Sequence, residues 1–181
     1  VAMQRAALTN LILWHLQEHP GPLTHIYRSP LAFDVSAQET LTALISGGTL
    51  IGQSGSSHWA DARLPELKLL QGRRAYLFGT SSAIEMMLEQ HEDWIIGGLR
   101  FEAIVQAGEA FKISPRNASL WDSADQLLNH YGPAETHVVT ARRLSVADRY
   151  GSPASIGTPI RNSQIYILDP ALNPVPIGVT G

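Results

Sequence analysis

The sequence predicts an α/β fold, a mostly parallel sheet flanked by helices. Three observations carry that expectation. Short apolar runs of strand length recur along the chain. Stretches with a helical period stand between them. Most of the runs end on Gly or on a polar turn. Strand, helix, strand in alternation is the connection that parallel strands require. Near the C-terminal end the pattern changes from alternation to a hairpin, so a subdomain boundary is expected within residues 143–155, dividing the chain into 1–148 and 149–181.

The 181 residues are enough for a sizeable core, and 44% hydrophobic with 16% charged residues describes a globular chain. The net charge is −3 with no basic run, which argues against nucleic acid as a partner. With no cysteine there is neither a disulfide framework nor a thiolate metal site. No apolar run has the length of a membrane span, and no signal-peptide pattern follows the first residues, so a cytoplasmic location is the default expectation. Both ends read as cut within a larger protein, since residue 1 is Val and the chain stops at Gly181 between expected strands.

The first helix is expected over residues 2–17, with Leu8, Leu11, Ile12 and Leu16 on one stripe, and His19-Pro20-Gly21-Pro22 ends it. His15 and His19 have a spacing that can hold a metal, but no acidic third ligand stands nearby. They read as a solvated pair near the helix C-terminus. Leu31-Ala32-Phe33 is expected to be a strand. Ser36 with Glu39 three residues later has the form of a capping box, so a helix should start there and stop at Gly47-Gly48. Thr49-Leu50-Ile51 is the next strand. Ser54-Gly55-Ser56-Ser57 lacks the Lys that would complete a phosphate loop. A helix is expected over residues 64–70.

Arg74-Ala75-Tyr76-Leu77-Phe78 reads as a strand closed by Gly79, and residues 82–89 as a helix capped by Ser81 or Ser82. His91-Glu92-Asp93 reads as a solvated face. Residues 101–109 form a buried strand running into a Gly turn, and residues 114–126 contain a helix. Leu127-Leu128 leads a strand into the Gly132-Pro133 turn, which presents Glu135 before Val138 and Val139 resume. Residues 142–153 are a surface connection. Residues 163–169 alternate as a strand, Asp169-Pro170 turns, and residues 174–177 begin an edge strand.

In a parallel sheet, ligands bind at the carboxyl ends of strands. Three such ends stand out. Asp34, Val35 and Gln38 share one side of a strand-to-helix junction, although Asp34 also has the makings of a plain helix cap. Val105 and Ala107 face one way beside Gly108-Glu109, where a small residue lets a ligand approach the backbone. Residues 129–139 form the third.

Four segments, in this order and spacing, resemble the adenylation domains of nonribosomal peptide synthetases. They are Ser29-Pro30-Leu31-Ala32-Phe33-Asp34-Val35-Ser36, Ala107-Gly108-Glu109, Asn129-His130-Tyr131-Gly132-Pro133-Ala134-Glu135-Thr136, and Ser155-Ile156-Gly157-Thr158-Pro159-Ile160. The resemblance implies the large N-terminal core of such a domain, followed by the first hairpin of a β-barrel-like subdomain. It implies an enzyme that activates an amino acid with ATP as an aminoacyl-adenylate and passes it to the phosphopantetheine thiol of a peptidyl carrier domain. A neighbouring condensation domain and the remainder of the adenylation domain are the other implied partners.

By the same resemblance, Asp34 holds the substrate ammonium. Tyr131 stacks on adenine, Asn129 bonds its edge, and Gly108-Glu109-Ala110 line its other side, with Gly132 and Ala134 in the same nucleotide-binding turn. Glu135 helps to hold Mg²⁺, whose preference is for hard oxygen ligands. Ala134 stands where the family usually has Thr or Ser, so no hydroxyl is offered there. The specificity pocket carries over as Asp34, Val35, Gln38, Leu77, Val105, Ala107, His130, Val138 and Val139. That set resembles proline-activating domains: it is largely aliphatic and holds no partner for a charged substrate side chain. Pipecolate or a methylproline differs by one methylene, worth only about 1–3 kcal/mol in such a site.

The family's phosphate loop would precede Val1, and its ribose-binding Asp and Lys-bearing domain would follow Gly181. The expectation is therefore that this segment alone does not catalyse adenylation. The alternatives are a segment of an acyl-CoA ligase-like enzyme, whose substrate has no ammonium for Asp34, and a noncatalytic amino-acid-binding module.

Overall fold

The computed structural model describes residues 2–52, 70, 74–113, 118–145, 148 and 154–181. In chain order the elements are α1 (Arg5–Glu18), β1 (Thr24–Tyr27), α2 (Val35–Ile45), β2 (Thr49–Gly52), β3 (Ala75–Gly79), α3 (Ser81–Gln90), α4 (Glu92–Ile96), β4 (Phe101–Gln106), α5 (Ala118–Trp121), β5 (Ala124–Tyr131), β6 (Thr140–Arg143) and β7 (Thr158–Pro159). Among the described residues the strands form one seven-stranded sheet in the order β2-β1-β3-β4-β5-β6-β7. The pairs from β2 through β5 are parallel, with Ile26 opposite Ile51 and Leu77, and Val105 opposite Phe78 and Leu128. The β5–β6 and β6–β7 pairs are antiparallel, so the sheet is mixed.

Alternation along the strands sends neighbours to opposite faces. One face packs Ile26, Leu77, Ile104 and Leu127 against Ile84, Met87 and Leu88 of α3 and against Phe111 and Trp121. The other packs Tyr76, Phe78, Val105 and Leu128 against Leu16 of α1 and Val35 of α2. Both faces are thus covered, as a parallel sheet requires. No helix among the described residues is long and apolar enough to cross a membrane.

Several sequence expectations are corrected. Leu31-Ala32-Phe33 is a turn, and Leu31 and Phe33 are exposed; the strand lies earlier, at Thr24–Tyr27, where His25 and Ile26 are buried. The capping box does not form. Asp34 precedes α2 and caps it, Ser36 is already inside the helix, and Glu39 is buried and accepts from the Ser29 N–H at 3.3 Å. Thr80, not Ser81 or Ser82, caps α3 through its side chain. His91 is buried between α3 and α4, although Glu92 and Asp93 are exposed as expected.

Helix α5 is a single turn, and residues 124–126 belong to β5 rather than to a helix. Arg142 and Arg143 lie in β6 and not in a connection. Residues 163–169 and 174–177 form no strand and are joined only by the Leu168–Pro174 bridge. The expected helix at 64–70 falls almost wholly outside the described residues, as do residues 53–60.

Candidate functional site

A cavity of about 240 Å³ opens where β3 and β4 end beside the N-terminus of α2. Its lining includes Asp34, Val35, Leu77, Ala107 and Val138 from the expected amino-acid pocket, and Gly108 and Gly132 from the expected nucleotide set. Each strand end contributes. The Ala107 N–H donates to the Gly79 carbonyl at 3.0 Å, which holds the β3 and β4 exits together. Gly108 has φ of +93° and a path that L side chains rarely follow, so the chain can turn across the opening.

Asp34 sits at the α2 N-terminus with its Oδ1 accepting from the Val35 N–H at 2.8 Å. The helix N-terminus favours a negative charge there. Its Oδ2 accepts no hydrogen bond from the described residues. Most of the remaining lining is apolar, from Pro30, Phe33, Phe78, Ala83, Ile84 and Met87. Arg28, Thr80 and His137 also line the cavity and were not singled out from the sequence. Arg28 is held below the usual guanidinium range by burial, which the nearby Glu39 charge opposes.

The other pocket candidates lie elsewhere. Gln38 is buried, and its Nε2 lies 3.2 Å from Nδ1 of His15. Val105 is buried on the opposite sheet face from Leu77. His130 packs edge-on to Trp14, with ring centroids 5.4 Å apart, and lines a separate groove of about 690 Å³ beside α1. Val139 is half-buried, and its N–H donates to the Tyr131 carbonyl at 2.8 Å. The cavity thus gathers Asp34, Val35, Leu77, Ala107 and Val138, while Gln38, Val105, His130 and Val139 do not line it.

Of the nucleotide set, Tyr131, Ala134, Glu135, Gly108, Glu109 and Ala110 are exposed at and just beyond the carboxyl ends of β4 and β5. Glu109 is tied down, since its Oε1 accepts from the N–H and hydroxyl of Ser82 at 2.6 and 2.9 Å. Asn129 is buried and donates its Nδ2–H to the Ser155 carbonyl at 3.0 Å. Among the described residues no group of three or more His, Asp or Glu side chains could hold a metal ion.

His15 and His19, expected to be solvated, are buried together with His25 and His130. The rings of His15, His19 and His25 pack with Tyr76, and those of His15 and His25 also with Phe78; His15 lies 4.8 Å from His19 and 6.1 Å from His25 between centroids. Burial pushes His19 and His25 down to about 4 and His130 down to about 3. Burial, followed by the other imidazoles, also pushes His15 well below its usual range.

A family model described as AMP-binding enzyme matches residues 1–181. The chain belongs to the AMP-binding enzyme family. Within that family, it is 34% identical over its whole length to the PKS-NRPS hybrid synthetase ATPKS of Aspergillus niger, of which it spans 9%. It is 30% identical, again over its whole length, to bacitracin synthase 3 of Bacillus licheniformis, of which it spans 3%. Its fold superposes on the crystal structure of IdnL1 with a TM-score of 0.79 at 24% identity, covering 99% of this chain and 38% of that one. The mixed α/β sheet with flanking helices is therefore the adenylation-domain fold. The chain spans less than a tenth of these curated relatives' own length.

Proposed function

We propose that these residues are the amino-acid-selecting core of a nonribosomal peptide synthetase adenylation domain. The observation that carries this reading is Asp34, a carboxylate fixed at a helix N-terminus in the wall of a mostly apolar cavity. Such a carboxylate suits an ammonium group, because a charge-assisted hydrogen bond strengthens where water is excluded. An acyl substrate without an amine would leave it unsatisfied.

The substrate we infer is proline or a close imino-acid analogue. Val35, Leu77, Ala107 and Val138 present aliphatic surface to a compact apolar ring. Arg28 is the cationic side chain among the described lining residues, and the Glu39 charge interacts with it. ATP, when bound, supplies the α-phosphate that the substrate carboxylate attacks and the pyrophosphate that leaves. The exposed Tyr131 ring offers adenine a stacking face, and Gly108-Glu109-Ala110 offers backbone opposite. Glu135 is a hard oxygen donor in the exposed turn that follows β5. As a lone carboxylate it fits Mg²⁺, which commonly takes one or two carboxylates and draws its remaining ligands from phosphates and water. Transfer to a carrier-protein phosphopantetheine completes the reading.

The test is amino-acid-dependent ATP–pyrophosphate exchange by the full-length protein that carries these residues. Proline or a close analogue should support the highest exchange, and Asp34→Ala should lower kcat/KM for it by about 10- to 100-fold, the worth of one hydrogen bond to a charged group. Undiminished exchange by the Asp34 variant, or a preference for a carboxylic acid without an amine, would sink the assignment.

A further inference from the structure

We propose that His137 is a positioning residue that sets Asp34 for the substrate ammonium by clamping the start of α2 to the turn after β5. This rests on the amino-acid-activating reading above. His137 and Asp34 are far apart in sequence, yet Nε2 of His137 lies 2.8 Å from the Asp34 carbonyl oxygen. The other ring nitrogen, Nδ1, accepts from the Val138 N–H at 3.0 Å. An accepting nitrogen carries no proton, so the neutral ring holds its proton on Nε2 and donates it to the Asp34 carbonyl. A single tautomer satisfies both ends.

The residue is also held hard. His137 is 1% exposed and has φ of 60°, a left-handed conformation uncommon for a residue other than Gly. Its N–H donates to the Pro133 carbonyl at 2.9 Å, and its own carbonyl accepts from the Thr136 hydroxyl at 3.0 Å. Strained backbone of this kind persists where the surroundings over-determine it. Both His137 and Asp34 line the same cavity. Asp34 is thus gripped twice, at its carboxylate by the Val35 N–H and at its carbonyl by His137. A carboxylate fixed before the ligand arrives spares the ordering cost of binding.

The same turn carries Glu135 and follows directly on Tyr131, the last residue of β5, and that separates positioning from general support of the loop. In the full-length protein, KM for proline and KM for ATP are measured separately by pyrophosphate exchange. His137→Asn tolerates the left-handed backbone but is too short to reach Asp34. His137→Gln places an amide N–H where Nε2–H stood. The Asn variant should raise the KM for proline about tenfold, the worth of one hydrogen bond, with the KM for ATP unchanged. The Gln variant should recover most of that loss.

An unchanged proline KM in the Asn variant overturns the clamp. So does a parallel rise in both KM values, which marks a damaged loop. Should the Asn variant not fold, the Gln variant decides: a proline KM close to wild type supports the clamp, and a tenfold rise overturns it. Asp34→Ala measured alongside tells the two inferences apart. If it retains wild-type dependence on proline, the ammonium reading fails; if it loses that dependence while His137→Asn does not, the clamp alone fails.

Discussion

At the scale of single residues, the turn after β5 depends on Gly132. A Cβ built there would fall on the carbonyl of His137 and within 2.8 Å of the Val138 Cα, which is backbone that no side-chain rotation can clear. Gly132→Ala must therefore push the two arms of the turn apart. Overpacking of this kind costs about 1–3 kcal/mol. Thermal unfolding should show a lower Tm, with losses in exchange at both limiting proline and limiting ATP. Gly52→Ala, where a Cβ would meet nothing within 4 Å, is the control and should leave exchange unchanged. A Gly132→Ala protein with wild-type Tm and exchange would refute the close approach. The Gly-Pro turn and Asp34 could be read from the sequence because each leaves a local mark, a turn dipeptide and an acid at a helix start. His137 leaves none: its positive φ and its bond to the carbonyl of Asp34 are properties of the folded chain alone.

At the scale of elements, α1 and α2 meet through a buried polar contact, and each also packs an apolar side chain, Leu16 and Val35, on the same sheet face. Gln38 of α2 and His15 of α1 pair at 3.2 Å with both side chains buried. Breaking one side leaves the other desolvated without a partner, which costs about 1–3 kcal/mol, whereas replacing both by apolar groups can be nearly neutral. Gln38→Leu and His15→Phe should each lower the denaturation midpoint, and the double variant should be more stable than the sum predicts. Additive losses would show that the pair is not coupled. The elements that the sequence misplaced fail for related reasons. Leu31-Ala32-Phe33 is apolar enough for a strand, but Leu31 is 85% exposed, while the true strand carries a fully buried His25 that reads as polar. Residues 163–169 alternate as a strand should, but alternation specifies faces and not a partner. Among the described residues the segment pairs only through the Leu168–Pro174 bridge, and Tyr166 and Ile167 are exposed. The parallel strands β3, β4 and β5 were legible because they are mostly buried runs ended by Gly or polar residues, and β2, which is only partly buried, because its short apolar run follows the Gly47-Gly48 stop.

At the scale of the whole molecule, the imidazoles buried between α1, β1, β3 and β5 set how stability responds to pH. His19 and His25 are pushed down by burial to about 4, and His130 to about 3. In the unfolded chain the same rings take up protons at about 6.5. Between those values the unfolded state binds more protons than the folded one, so stability falls as the pH falls from 6.5 towards 4. Glu39 acts in the opposite sense. Burial raises it to about 7 against hydrogen bonds from Ser29, so the folded state takes its proton first and its contribution to stability is lost as the pH rises from 4.5 through 7. Each group changes stability by at most about 1.4 kcal/mol per pH unit, and three imidazoles outweigh one carboxyl. Melting followed by calorimetry should therefore give a Tm lower at pH 5 than at pH 7.5 by at least about 5 °C, given some 2–4 °C per kcal/mol for a chain of this size. Replacing His25 by Phe removes one of the opposing protons and should shrink that difference. A Tm that holds or rises on acidification would mean that the imidazoles are hydrated in solution and that the two helices do not seal this face of the sheet.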